Sequence, residues 1–307
     1  MAALINTTPD AGALVDFDAN LLHKDLREDM AHHVLLAKTH ANVQWFVVPG
    51  STLGDSAEAL ALAESGEAGL ARGRLIATAG VHPYHAAAPE HPHPRGVDRL
   101  RELIARHAIC KAVGECGLDY SEGFPDKELQ LPWFSSQVAL ALELRKPLFL
   151  HVRGARDDFV AVLRGAGFAE RGPPPVPCVV HCFTGSADEL RQYVEMGFYI
   201  GLTGYAIAPG LGAGGEDESV GDPFATLKLW LEIIPEDRLV LETDAPYLGF
   251  KGCRAAEAKK RTSKYPNVPA ALRAICETVA RVSGRAYEDV ASSTTANALA
   301  FFSLRRE

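Results

Sequence analysis

The 307-residue chain holds six cysteines, Cys110, Cys116, Cys178, Cys182, Cys253 and Cys276, and no two of them have the CxxC spacing of a zinc or redox pair. Most of them read as buried thiols, and the chain as reduced. The chain also lacks an uninterrupted apolar run long enough to span a bilayer, and its start, MAALINTTPDAG, has no basic segment leading into an apolar one. No membrane association is expected, and the expected location is cytoplasmic or nuclear. Repeats of solenoid type are absent. Positive charge is in short supply: 31 Lys and Arg against 39 Asp and Glu leave a net charge of −8. That balance excludes a protein held on nucleic acid by a broad cationic surface. An anionic substrate must then be drawn in locally, by bound divalent metal or by a confined basic loop. No segment implies an obligate protein partner.

Hydrophobic residues make up 47% and charged residues 23%, ordinary globular values that provide a large core. Eight apolar segments read as strands: 13–20, 43–50, 75–83, 110–119, 147–153, 177–183, 198–203 and 238–244. Between them lie stretches with leucine and alanine at helical spacing, several opening on Asp or Ser and stopping at Gly, such as SADELRQYVEMG at 186–197. Alternation of strand and helix demands a parallel sheet. An open doubly wound sheet alternates in the same way but gathers its ligands at one switch point, whereas polar residues end at least five strands here. The expectation is an α/β fold, a single (β/α)8 TIM barrel over 1–307, with a metal site at the C-terminal ends of the strands. The Pro-rich segment 171–177 and the Gly-rich segment 208–222 sit inside this rhythm and read as loops.

Five segments end on a side chain able to bind metal: AGVHP on His82, AVGECGLD on Glu115, PLFLHVR on His151, VVHCFTG on His181 and LVLETDAPY on Asp244. A strand buried on both faces is continuously apolar, so a polar residue at its C-terminal end is free to face a site. Glu115, flanked by Gly114 and Gly117, has room for close approach and reads as a metal ligand or a bridge between two ions. A buried glutamate paired with an arginine has the same local pattern. His151 and His181 end successive strands, so their imidazoles can converge on one ion. His82 reads as a ligand to a second ion or as a phosphate contact. Asp244 can both bind metal and take a proton from water, while the Ala-Pro after it also fits an N-cap or an Asx turn. Glu242 is expected to point away from the site, and His23, His32, His33 and His40 read as exposed or capping residues.

GECGLD (114–119), HCFTG (181–185) and ETDAPY (242–247), with GVHP (80–83) and LHVR (150–153), resemble the TatD family of metal-dependent deoxyribonucleases, within the amidohydrolase-like superfamily. The resemblance runs in order from VDFDANL (15–21) to TTANALAFF (294–302). It implies divalent-metal-dependent hydrolysis of DNA phosphodiester bonds by metal-activated water, with 3′–5′ exonuclease action, DNA as the substrate, and Asp244 and Glu115 as catalytic residues. Mg²⁺ or Mn²⁺ suits the set best and Zn²⁺ is an alternative, as one or two ions. Many relatives begin with Asp-x-His-x-His, where this chain has Asp16, Asp18 and Asn20. By alternation the three share one strand face, and Asp18 is expected to replace an imidazole with a hard oxygen ligand. Where relatives have Asn-Glu-Pro, this chain has Asn267, Val268 and Pro269.

Substrate contacts are less sharply marked. Arg153 could hold a phosphate or pair with a nearby acid. The segment 251–264 sets Lys251, Arg254, Lys259, Lys260, Arg261 and Lys264 against Glu257, a positive island on the side of the mouth. Phosphate steering by Lys259, Lys260 and Arg261 is one reading, and solvated surface is the other. Asp119 and Tyr120 are placed to orient ligands, and Phe183 either stacks on a base or packs beneath its loop. Two other functions stay open. A barrel hydrolase of a small amide, ester or phosphate compound is disfavoured because Glu115 stands where many amidohydrolases carry a carboxylated lysine. A scaffold without activity is disfavoured by the number of ligand-type residues at strand ends.

Overall fold

The apolar segments form eight strands: β1 (Leu14–Asp16), β2 (Val43–Val48), β3 (Leu75–Ala79), β4 (Cys110–Asp119), β5 (Leu148–Arg153), β6 (Cys178–Val180), β7 (Tyr199–Leu202) and β8 (Leu239–Leu241). The computed structural model describes residues 12–65, 74–90, 92–208, 222–257, 264 and 266–304. Neighbouring strands pair in parallel, in sequence order from β1 to β8. Helices α1 (Lys24–Arg27) and α2 (Met30–Ala41) follow β1, α3 (Leu53–Ser65) follows β2, α4 (Arg95–Arg106) follows β3 and α5 (Lys127–Leu144) follows β4. Then α6 (Arg156–Gly165) follows β5, α7 (Ala187–Glu195) follows β6, and α8 (Gly204–Ile207) and α9 (Ala225–Ile233) follow β7. After β8 come α10 (Leu272–Ser283) and α11 (Tyr287–Phe301). Among the described residues, no helix is long and apolar enough to cross a membrane.

Several strands stop before their predicted segments do: β3 at Ala79, β6 at Val180 and β8 at Leu241. The ladder ends where the strands splay into the mouth, and the splayed residues carry His82, His181 and Asp244. Below them, alternate residues fill the lumen. Val15, Phe17, Trp45, Val47, Ile76, Ala112, Phe149, Val179 and Val240 form one cluster with Leu299, Phe301 and Phe302 from the end of α11 and just after it. Phe17 stacks on Phe149 at 5.7 Å and on Phe302 at 5.2 Å, so the chain's last helix closes the floor of the barrel. Each such buried aromatic contributes about 1.5–3 kcal/mol, which makes a rigid base for the mouth.

The barrel closes between β8 and β1 beyond the regular ladder. Phe17 N donates to Leu241 O at 3.1 Å, Asp244 N to Asp18 O at 2.8 Å, and Asn20 N to Ala245 O at 2.8 Å. Buried Asp16 fastens this seam, accepting from Thr243 N at 2.8 Å and Thr243 Oγ1 at 2.7 Å. Asn267 donates to Thr243 O at 2.7 Å from the other side. Asp16, Asp18 and Asn20 therefore do not share one face as alternation predicted. A bend at Phe17 breaks the alternation, leaving Asp16 on the seam and Asp18 in the mouth.

Candidate metal centre

The site is built around one carboxylate. Gly114 has φ +135°, and a Cβ there would meet Phe149 O at 2.2 Å, so only glycine lets β4 approach β5 this closely. The next residue, Glu115, is anchored by its N–H to Gly50 O at 2.9 Å and turns a buried carboxylate into the mouth. Three imidazoles reach its Oε1: His82 Nε2 at 3.2 Å, His151 Nδ1 at 3.1 Å and His181 Nε2 at 2.7 Å. They arrive from the ends of β3, β5 and β6, so three strands converge on one oxygen.

Each histidine is oriented by a different partner. His151 Nε2 faces Asp119 Oδ2 at 2.8 Å, and Asp119 is itself held by Ser121 N on Oδ1 at 2.8 Å and by its own N–H to Gln130 Oε1 at 2.8 Å. A carboxylate behind an imidazole fixes the ring and raises its basicity, the usual support for a metal-ligating histidine. His82 has the opposite arrangement: its Nδ1 accepts from Tyr84 N at 3.1 Å, which places its proton on Nε2. His181 Nδ1 lies 3.2 Å from Asp18 Oδ2 and 3.7 Å from Glu242 Oε1. Neither His181 Nδ1 nor Asp18 Oδ2 has a hydrogen-bond partner of good alignment, although both are buried.

The β8–β1 side of the mouth is acidic. Asn20 Nδ2 donates to Asp244 Oδ1 at 2.9 Å and to Asp18 Oδ1 at 3.3 Å. Glu242 is fully buried, accepts from Cys182 N, and faces His181. This corrects the expectation that it points away from the site: Glu242 and Asp244 are two residues apart, and such residues share a strand face. A Cβ at position 201 would stand 2.6 Å from Glu242 Oε1, so Gly201 makes the room. Among the described residues, no lysine or arginine forms an ion pair with Asp18, Glu115, Asp119, Glu242 or Asp244.

Charge follows from this geometry. Burial pushes the Glu115 carboxyl up, but the charges of His181 and His82 and hydrogen bonds from His151 and His181 overcome it and hold the group well below the usual range. Burial likewise opposes protonation of His181, and Glu115 and Asp18 outweigh it, raising the imidazole well above its ordinary value. Asp244 and Glu242 are each pushed up to about 7, chiefly by burial and only partly offset by His181. Asp18 is raised for the same first reason. Buried acids of this density either stay protonated or take a compensating cation. Ligand atoms of His82, Glu115 and His151 lie within 4.8 Å of one another, and so do those of Asp18, Glu115 and His181. The donor set, the unaligned buried atoms and the missing basic partners all fit divalent metal.

The predicted rim residues divide. Arg153, register partner of Asp119, is exposed and forms no ion pair with any described residue. Phe183 is buried against Trp230 at 4.9 Å and packs beneath its loop. Arg254 is gripped by Glu257 at 2.5 and 2.9 Å, so it adds no free charge to the predicted island. Lys259, Lys260 and Arg261 lie outside the described residues. His33, read from sequence as exposed or capping, is buried 3.5 Å from Glu257. Asn20, one of the three strand-one residues singled out from the sequence, reaches the site through its amide, whereas Glu242 is a site residue that the sequence did not single out as such, and only its spacing from Asp244 signals it.

Comparison with known proteins adds a lineage to this geometry. The profile of the TatD related DNase family matches residues 15–303. The 3′-5′ ssDNA/RNA exonuclease TatD of Erwinia amylovora is 32% identical over 295 residues, covering 95% of this chain and all of that protein. The Edwardsiella piscicida protein of the same name is 35% identical over 268 residues, covering 87% of this chain and 91% of that one. In fold, the chain is similar to a TatD-family hydrolase from Entamoeba histolytica, with a TM-score of 0.76 at 23% identity over 96% of this chain and 99% of that chain.

Proposed function

Because this chain belongs to the TatD related DNase family, we propose that it is a divalent-metal-dependent nuclease hydrolysing phosphodiester bonds in DNA, as a 3′–5′ exonuclease. One observation carries this reading: imidazoles from three strands converge on a single buried oxygen, Glu115 Oε1. Bound divalent metal supplies neutralisation of the phosphoryl oxygens and activation of water. Glu115 and His151 would hold an ion on the β4–β5 flank, and Glu115, His181 and Asp18 would hold one towards the seam. Mg²⁺ or Mn²⁺ suits the oxygen-rich seam, and Zn²⁺ the imidazoles.

The remaining residues have separate tasks. His151 donates a hydrogen bond from Nε2–H to Asp119, which leaves Nδ1 for the ion. His82, with its proton on Nε2, donates to a phosphate oxygen. Asp244 has Oδ1 occupied by the Asn20 amide, so its second oxygen is the one available to accept a proton from the attacking water. Arg153, exposed and in no ion pair among the described residues, offers its guanidinium to a neighbouring phosphate. Steering by Lys259, Lys260 and Arg261 rests on their sequence position beside Asp244. Six free thiols fit a reducing compartment, cytoplasm or nucleus.

The test is hydrolysis of end-labelled single- and double-stranded DNA with Mg²⁺, Mn²⁺ or EDTA, using Glu115→Ala and Asp244→Ala beside wild type. Metal-dependent shortening from the 3′ end, lost in both variants, is expected. Equal activity in all three proteins, or activity undiminished by EDTA, would overturn the proposal.

A further inference from the structure

A ladder of rings leads out of the metal centre. His151 and His82 meet edge to face at 4.6 Å between ring centres, His82 lies 6.1 Å from Phe124, and Phe124 meets Tyr84 edge to face at 5.3 Å. The two outer rings come from different loops, Tyr84 from the Pro83–His85 turn after β3 and Phe124 from the segment after β4. Tyr84 is 55% exposed, one of four large hydrophobic residues exposed among those described. The other three, Leu35, Leu129 and Leu229, lie on helices of the outer layer, so Tyr84 stands apart from them at the mouth.

Its backbone is already committed. Tyr84 N donates to His82 Nδ1 at 3.1 Å, and His82 N donates to Ser51 O at 2.9 Å, which fixes the turn relative to the cluster. Phe124 supports the ring from the side, so one broad aromatic surface is held in place and left open to solvent. An ordered, exposed ring has already lost the freedom that binding would otherwise cost. A rigid aromatic face beside a phosphate-handling centre matches the chemistry of an unpaired nucleobase, which presents a flat π-surface next to its phosphate. Bases within a duplex are already stacked and cannot lie on such a surface.

We propose that Tyr84, supported by Phe124, is a stacking shelf for an unpaired nucleobase of the strand whose phosphate lies in the metal centre, and so selects single-stranded or frayed ends. This rests on the nuclease reading above. Affinity supplied by the shelf is insensitive to salt, in contrast to contributions from Arg153 or the 251–264 segment.

The test pairs a protein change with a substrate change. Binding of a labelled oligothymidylate with phosphorothioate linkages at its 3′ end is measured by fluorescence anisotropy in Mn²⁺, beside a strand of equal length whose last two 3′ residues are abasic. Tyr84→Ala is expected to weaken binding of the complete strand about ten-fold and to leave the abasic strand within about two-fold, since the two deletions remove one interaction. Tyr84→Phe should bind both strands like wild type. A Tyr84→Ala protein that binds the complete strand as wild type does, or that loses affinity equally for both strands, overturns the shelf. If wild type degrades DNA while Tyr84→Ala gives either result, the nuclease reading stands and only the shelf fails. If wild type neither binds nor cleaves, both fall.

Discussion

The two flanks of the barrel mouth share Glu115 and differ in almost everything else. On the β3–β5 flank, acids and imidazoles alternate: Asp119, His151, Glu115 and His82 are each within 3.2 Å of the next. At the β8–β1 seam, Asp18, Asp244 and Glu242 gather around one imidazole, His181, and one amide, Asn20. On the first flank every carboxylate faces an imidazole. The second carries an uncompensated excess of buried acid, which explains why Asp244 and Glu242 are pushed up to about 7 by burial while Asp119 is held below the usual range despite it, by hydrogen bonds from His151 and Ser121. An imidazole flank orients a ligand set in advance, whereas an acidic seam is completed only when a cation arrives.

Removing the shared residue should erase the contrast. Glu115→Ala is expected to lower kcat/KM by about a thousand-fold or more, because it withdraws a ligand from both positions. A loss under about ten-fold would show that the two flanks do not depend on a common carboxylate. Asp18→Ala should act on the seam alone, with a fall in activity of about a hundred-fold and intact metal binding at the flank. Should it change neither metal content nor rate, Asp18 is not a ligand. Asp119→Asn should act on the flank alone, weakening metal affinity about ten- to a hundred-fold by releasing His151, as read by calorimetric titration.

The smallest effect is a slope. Asp244 and Glu242 are raised from ordinary values of 3.8 and 4.5 to about 7 in the folded, metal-free chain. Their contribution to stability is thus full below the unfolded values and is lost as pH rises through about 7. His181, also raised, contributes fully below its ordinary 6.5 and loses this at higher pH. Glu115, lowered, works in the other direction, adding stability above its ordinary 4.5 and losing it only in acid. Between about pH 6 and pH 8 the metal-free protein should therefore melt at progressively lower temperature, and Mn²⁺ should flatten that slope, since metal takes the place of protons. Parallel slopes with and without Mn²⁺ would remove the acidic seam from the account of metal binding.

Much of this architecture was legible before the structure. Five strand ends announced themselves because a lone polar residue after an apolar run has no role in a doubly buried sheet. Glu115, His151 and His181 were found in that way, and they meet. The seam was harder to read. Asp16, Asp18 and Asn20 look equivalent by alternation, yet a bend at Phe17 gives Asp16 a structural task and sends Asp18 to the mouth. Glu242, expected to point away, faces His181 because residues 242 and 244 share a strand face. The basic island weakened because Arg254 pairs with Glu257, three residues away, a match that a charge count does not reveal. Tyr84 left no signal at all, since an exposed ring in a three-residue turn has no periodicity, and only its neighbours Phe124 and His82 give it meaning.

The most direct measurement is the number of Mn²⁺ ions bound by metal-free wild type, Asp18→Ala and Glu115→Ala, counted by calorimetric titration and elemental analysis. Two in wild type, one in Asp18→Ala and a severe loss at both positions in Glu115→Ala are predicted. The same stoichiometry in Asp18→Ala as in wild type, or tight binding retained without Glu115, would contradict a centre built on one shared carboxylate.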